Sequence, residues 1–479
     1  MELGSLTGLT VYQKSVVELN GTTYFLVRSD QDASKRLGVV GDQAGFQGSR
    51  HGPSGVLLCR LTSANAAALR ARLRWLVPAG LGLSSSAGLG DRLGIATPGH
   101  VRAVREMRIA PIFAQQSVRE NSRTGRSPQD VVDDATWGIF QEGWRDPWGA
   151  DADHLKTPGD LDAFIAGGYT LYTIDPGEHV DQAADGATPS DVEAKMRALP
   201  WDALEDSWRD LERRYLTCPF DLGATSLAFE RESLWRAAAK YGRAIAHAVR
   251  MYRCIAARVE GNSFELEVSV DETATPTTPG EHLFIANELS RLGVRWVSLA
   301  PRFVGRFEKG VDYIGGIETF AAEFAQHAAV ARALGPYKLS LHSGSDKFSI
   351  YPIAAELTGG LVHLKTAGTS YLEALRAIAK VSPPLFRAIL GFSRERYESD
   401  RATYHVSAEV AKVPRADALS ESDLPGLLDQ FDARQVLHVT YGSVLDRFGE
   451  RLQATLREHE EVYYRLLEGH FAKHLAAFR

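Results

Sequence analysis

Tyr337 to Pro352 reads YKLSLHSGSDKFSIYP. Its first six residues alternate, Tyr337, Leu339 and Leu341 apolar against Lys338, Ser340 and His342 polar, the period of two that marks a strand with two unlike faces. The alternation stops at Ser343-Gly344-Ser345, delivers Asp346 and Lys347, and passes at Phe348 into an apolar run of helical character. A single polar strand face needs no explanation beyond contact with water. The same unit repeated along the chain needs more.

It is repeated. IAPIFAQQS precedes QDVVDDATWGIFQEGW, GADADHLK precedes TPGDLDAFIAGG, and SFELEVSVDE precedes EHLFIANELSRLG. RWVSLAPRF precedes IETFAAEFAQHAAVARALG, and LVHLKTAG precedes YLEALRAIAK, with YTLYTIDP a further strand. Thr157-Pro158 has the form of a capped helix start and Gly167-Gly168 of a stop. Strand–helix alternation implies a parallel sheet, and this many units predict an α/β fold of the (β/α)8 TIM-barrel type, with an open doubly wound sheet as the alternative. Residues 1–80 form a β-rich segment containing a hairpin turned at Asn20-Gly21. Residues 81–380 form the barrel, with a helical insertion at about 185–258. Residues 381–479 form an extension packed on the barrel, with a strand candidate QVLHVTYG and a long closing helix.

Composition narrows the function classes. The 479 residues are 44% hydrophobic and carry a net charge of −6, the make-up of a soluble globular protein with a large core. Mild acidity without a basic stripe argues against nucleic acid as partner. The absence of a run of about 18 apolar residues argues against a membrane span. The N-terminus lacks the pattern of a signal peptide. Cys59, Cys218 and Cys254 lie far apart, which points to a reducing cytoplasm rather than a disulfide framework.

In a barrel strand alternate residues face inward. The apolar set Leu266, Val268 and Val270 must pack on helices, so Glu265, Glu267, Ser269 and Asp271 face the barrel interior. The same reasoning turns Lys338, Ser340 and His342 inward, and with them His363 and Lys365. Arg302 is in phase with Ser298 and Ala300. Asp153, His154 and Asp175 fall near strand ends, and active sites of this fold lie at the C-terminal ends of the strands. Buried acids and bases require partners or a metal, and imidazoles with carboxylates are a usual ligand set for a divalent transition metal. His247, His327, His405 and His438 fall on helix patterns or outside the barrel strands and are left out of the site. The glycines of AGLGDRLG approach a dinucleotide fingerprint, but the third is one residue late and the preceding segment is a poor strand. No nicotinamide is expected, and the segment is read instead as a turn near the site with Asp91 or Arg92 facing substrate.

GLGDRLGIATPGH, GADADHLKTPGDLDAFIAGGYTLYTIDPGEH, EVSVDETATPTTPGEHLFIANEL and KLSLHSGSDKFSIYP together resemble the bacterial tagaturonate epimerase family across most of residues 81–365. The resemblance implies a metal-dependent interconversion of D-tagaturonate and D-fructuronate in hexuronate catabolism. It also implies one divalent cation (Zn, Mn, Ni, Co or Fe) and a small keto-uronate as partner. The inverted carbon is β to the ketone, so its C–H is not acidified, and retro-aldol cleavage followed by re-addition is the route that suits a metal site. On this reading His154, His342 and His363 are metal ligands, and Asp153 and Glu267 are the acid–base pair, with Asp271 or Asp175 as substitutes. Arg302, Lys347 and Lys365, with Asp271 and Asp175, meet the substrate, the guanidinium fork of Arg302 suiting a carboxylate. A metal-dependent aldolase or ketose isomerase, or a non-catalytic sugar-acid-binding protein, are the alternatives.

Overall fold

The computed structural model of the chain describes residues 6–51, 55–223 and 225–478. The first five residues, part of the start read above as lacking a signal peptide, lie outside the described residues. Eight strands close into a parallel barrel: β1 (Ser86–Gly88), β2 (Ala110–Ser117), β3 (Gly149–Leu155), β4 (Leu171–Ile174), β5 (Glu265–Ser269), β6 (Ser298–Ala300), β7 (Lys338–Leu341) and β8 (Val362–Lys365). They neighbour one another in chain order, and β8 returns to β1 through the pairs His363–Ser86, Leu364–Ala87 and Lys365–Gly88.

Seven of these strands are legible as alternating or apolar runs; β1 is not. Ser-Ala-Gly carries neither the β-branched nor the aromatic residues that favour strands. Its neighbours on both sides hold it in the sheet, and the lack of a side chain at Gly88 is required, because a Cβ there would lie 2.8 Å from Gln115 Cγ.

The N-terminal segment is a six-stranded antiparallel sheet built from residues 9–60. Its hairpin pairs Leu19 with Thr22 around Asn20 and Gly21, both left-handed, as a two-residue turn of this kind demands. A helix, Ser63–Arg72, follows, started by the Thr62 side chain accepting from the Asn65 amide. The insertion between β4 and β5 holds helices Pro189–Arg197, Trp208–Leu216 and the 28-residue Arg231–Arg258.

After β8 the chain is helical. QVLHVTYG, expected as a strand, lies instead in Phe431–Val439 and the start of Tyr441–Glu458, with the Gln430 side chain capping the first of these at Ala433 N. Val, Leu and His runs of this length fit either state by pattern alone. The last long helix, Glu460–Leu475, lies against Thr97–Val104, and Gly99 permits the approach: a Cβ there would stand 2.7 Å from Leu467 Cβ. No helix among the described residues is long and apolar enough to cross a membrane.

Candidate active site

The barrel interior is polar in layers. Deepest, Lys338 Nζ donates to Ser86 Oγ at 3.1 Å, and Ser86 Oγ is hydrogen-bonded to His363 Nδ1 at 2.9 Å. Above this, Lys365 Nζ stands 2.5 Å from Asp153 Oδ1, 3.0 Å from Asp151 Oδ2 and 3.0 Å from Glu267 Oε1, and donates to Thr173 Oγ at 2.7 Å. Ser298 Oγ donates to Glu267 Oε2 at 2.6 Å, and Gln115 Nε2 to Asp153 Oδ2 at 2.9 Å. Burial would destabilise the Lys365 ammonium, but Asp151, Asp153 and Glu267 together hold its pKa well above the usual lysine value. Burial likewise opposes ionisation of Glu267, and Lys365, then His342, overcome it and hold the carboxyl low.

At the C-terminal mouth His342 lies between two carboxylates. Its Nε2 donates to Glu267 Oε1 at 2.6 Å, and its Nδ1 is 3.1 Å from Asp271 Oδ1. Burial pushes His342 down, yet Asp271 and Glu267 raise it to about 10. His154 faces it edge to face, with ring centroids 5.1 Å apart, and its Nδ1 is 3.4 Å from Asp175 Oδ2. His154 takes a left-handed backbone (φ 53°) where the pairing of β3 with β4 shifts register. In a non-glycine residue this conformation costs about 1–2 kcal/mol and is common where function fixes a side chain. Here it breaks the strand alternation, so that Asp153 and His154, neighbours in sequence, both serve the mouth.

His154, His342 and Asp271 each bring one ligand atom within 4.8 Å of the others. Two ligands of one transition-metal ion at about 2.0–2.1 Å stand about 3 Å apart when adjacent, and His342 Nδ1 and Asp271 Oδ1 have that separation. Two imidazoles and a carboxylate, with Asp175 orienting one ring from behind, suit such an ion. His363 does not join them. It sits two residues before Lys365 on β8, about 6–7 Å deeper; Ser86 engages its Nδ1, and burial lowers its pKa to about 3. Asp271, expected as a substrate contact, takes its place in the group.

A cavity of about 470 Å³ opens over this end, lined by Asp271, Glu272, Arg302 and His342 from the barrel, by Arg119 and Lys309, and by Tyr404 and His405 of the C-terminal extension. His405, set aside on sequence grounds, is thus brought to the mouth by a segment far along the chain. Lys347 is not at the cavity. It is fully buried, its Nζ donating to the carbonyls of Glu308, Val311 and Ser345. The glycine-rich turn is also structural. Asp91 accepts from the amides of Leu93, Gly94 and Ala96, and buried Arg92 pairs with Glu120 at 2.7 Å and stacks on Tyr441. His247 Nε2 bonds to Lys156 O, His327 to buried His282, and buried His438 has both ring nitrogens without a hydrogen-bond partner among the described residues.

A second group, Asp346, His470 and His474, also converges. The spacing of four between the histidines on Glu460–Leu475 was visible in the sequence, but Asp346 comes from the β7 loop. Arg434 stands 2.9 Å from Asp346 Oδ2, and His474 Nε2 accepts from the Asp346 amide at 2.8 Å. A guanidinium beside the carboxylate and an occupied imidazole lone pair make this a clamp between the C-terminal helix and the loop that carries His342.

A (β/α)8 barrel with acids, imidazoles and a lysine converging under a cation-lined cavity at its C-terminal mouth defines a barrel enzyme of polar-substrate chemistry. Comparison with known proteins narrows the class. The tagaturonate epimerase profile matches residues 12–478, and the chain belongs to that family; it is an epimerase, an isomerase-class enzyme. It is 44% identical over 475 residues to the tagaturonate/fructuronate epimerase of Thermotoga maritima, covering 98% of this chain and 96% of the relative. The glycerol-bound crystal structure of fructuronate-tagaturonate epimerase UxaE from Cohnella laeviribosi superposes with a TM-score of 0.93 at 38% identity, covering 98% of this chain and 96% of that one. The native structure of the same enzyme gives 0.92, again at 38% identity, covering 99% and 97%.

Proposed function

We propose that this epimerase interconverts D-tagaturonate and D-fructuronate by retro-aldol cleavage and re-addition, with one divalent transition-metal ion held by His154, His342 and Asp271. The observation that carries the reading is the convergence of those three side chains beside the carboxylate–lysine cluster, which His342 touches through Glu267, with His342 and Asp271 lining a cavity rich in cations. When bound, the ion supplies positive charge to the ketone oxygen and its neighbouring hydroxyl. Asp153 takes the proton from the hydroxyl on the carbon to be inverted, and Glu267 balances charge behind it through Lys365. The bond from that carbon to its neighbour next to the ketone then breaks. The electron pair stays on the three-carbon ketone fragment as its enediolate, and the other fragment is an aldehyde. The aldehyde turns, the enediolate carbon attacks its other face, and the proton returns to the new alkoxide. Lys365 Nζ touches both carboxylates, so one ammonium links the proton acceptor to the carboxylate behind it. The free thiols Cys59, Cys218 and Cys254 suit a reducing cytoplasm.

The route is tested by isotopes. Substrate deuterated at the inverted carbon keeps its label in the product, product formed in heavy water gains none there, and an aldehyde-trapping reagent intercepts a three-carbon fragment. Exchange with solvent at that carbon, or nicotinamide bound to the purified protein, would overturn it.

Arg302 lines the cavity, and its side chain has no carboxylate within 4.0 Å among the described residues. If it receives the substrate carboxylate, Arg302→Ala should lose a charge-assisted hydrogen bond, about 1.5–3 kcal/mol, in kcat/KM for the keto-uronate, and much less for the matching uncharged ketose. Equal losses would make Arg302 structural.

A further inference from the structure

We infer that Lys309 is a second specificity-determining cation, which together with Arg302 receives the carboxylate end of a sugar-acid substrate. The inference rests on reading the cavity as a keto-uronate site. Lys309 lies in the loop after β6, and that loop is pinned on both sides of it. The Glu308 side chain accepts from Ser407 N at 3.0 Å, from Ser407 Oγ at 2.7 Å and from Gln435 Nε2 at 2.8 Å. The Glu308 carbonyl accepts from Lys347 Nζ at 2.9 Å. On the other side, Gly310 takes a left-handed backbone (φ 71°), its carbonyl accepts from Arg434 Nε at 2.5 Å, and Lys347 Nζ also holds the Val311 carbonyl at 2.5 Å. The C-terminal extension, the β7 loop and helix Phe431–Val439 thus fix residues 308, 310 and 311.

The residue between these anchors points into the cavity. Among the described residues its ammonium has no hydrogen bond and no carboxylate within 4.0 Å. Burial, and then the nearby Arg119, lower its pKa. Glu272, Asp271 and Glu120 oppose this only from beyond contact distance, and a partly buried ammonium with no carboxylate in contact is unfavourable unless a ligand supplies the negative charge. A rigid frame that presents it costs little further ordering when such a ligand arrives. Arg119 and Arg306 differ in this respect: each has a carboxylate nearby, Glu272 at 3.9 Å and Glu308 at 3.5 Å. Lys347, buried beneath, holds the carbonyls on either side of Lys309.

The test compares the unaltered enzyme with Lys309→Met, Lys309→Arg and Arg302→Met. D-tagaturonate is the substrate, and D-tagatose, its uncharged counterpart, is the competitive inhibitor. Lys309→Met should raise KM for D-tagaturonate at least tenfold with kcat changed only a few-fold, and should leave the inhibition constant of D-tagatose within about twofold; Lys309→Arg should recover part of the loss. Equal weakening of both sugars, or no change in either, would overturn the assignment. If Arg302→Met still discriminates between the sugars in that case, the keto-uronate reading stands and only the Lys309 role falls. An unaltered enzyme that does not epimerise D-tagaturonate would bring down the underlying reading and the Lys309 role with it.

Discussion

Protein stripped of divalent cations by a chelator is expected to lose epimerase activity altogether and to regain it with a divalent transition metal. The expectation follows from the electrostatics of the barrel mouth. Asp153, Asp271, Glu267 and Asp175 crowd one end, and there His342 faces carboxylates through both ring nitrogens and is held protonated. An ion held by His342 and Asp271 would have to replace that proton, so binding should weaken as acidity rises. Elemental analysis of variants then decides the ligand set. His342→Ala and Asp271→Ala should each lower metal content, because each would remove one of the three proposed ligands, whereas His363→Ala should leave it unchanged, since that ring lies a layer below with its Nδ1 on Ser86. Full activity in protein shown to be metal-free would sink the metal reading. Loss of metal in His363→Ala alone would restore the ligand set first expected.

That revision shows where sequence ceases to be informative. The inward faces of β5, β7 and β8 were legible because the strand period is fixed at two and their apolar residues had to face helices. Glu267, His342, His363 and Lys365 therefore came out on the correct side. Depth did not, since the level of one strand against the next is set by register. Register pairs His363 with Ser340 and Ser86, below the mouth. Loops resisted for a different reason. Lys347 and Lys309 both sit in loops at strand ends, and only backbone direction decides that the first turns into the protein to bind carbonyls and the second into the cavity. Tyr404 and His405 reach the mouth through the fold of the C-terminal extension, more than sixty residues beyond His342, a juxtaposition for which no local pattern exists. β1 was hidden by its composition, three small residues whose strand conformation is imposed by neighbours.

The last expectation concerns the two carboxylates bridged by Lys365. Asp153→Asn and Glu267→Gln should each lower kcat by about 10²–10⁴-fold, the range for loss of a positioned acid or base, while bound metal and KM change only a few-fold. The two are not equivalent in place. Asp153 retains a little exposure at 4%, whereas Glu267 has none, so Asp153 is the group that can meet the substrate hydroxyl, and Glu267 the one that keeps charge and proton in balance behind it. Asp153→Asn should therefore reduce trapping of the three-carbon aldehyde in step with epimerisation, because the cleavage itself lacks its base. Glu267→Gln removes the anion facing His342 Nε2 and Lys365, and should in addition move the pH profile of kcat. Lys365→Met separates chemistry from folding. It leaves Asp151, Asp153 and Glu267 buried without their common cation, and breaking a buried ion pair in this way costs about 3–5 kcal/mol, which denaturant unfolding would register. Either amide variant unfolding as readily as Lys365→Met would reduce that carboxylate to a structural counter-ion. Aldehyde trapping that stayed normal in Asp153→Asn while epimerisation fell would take the cleavage step away from Asp153.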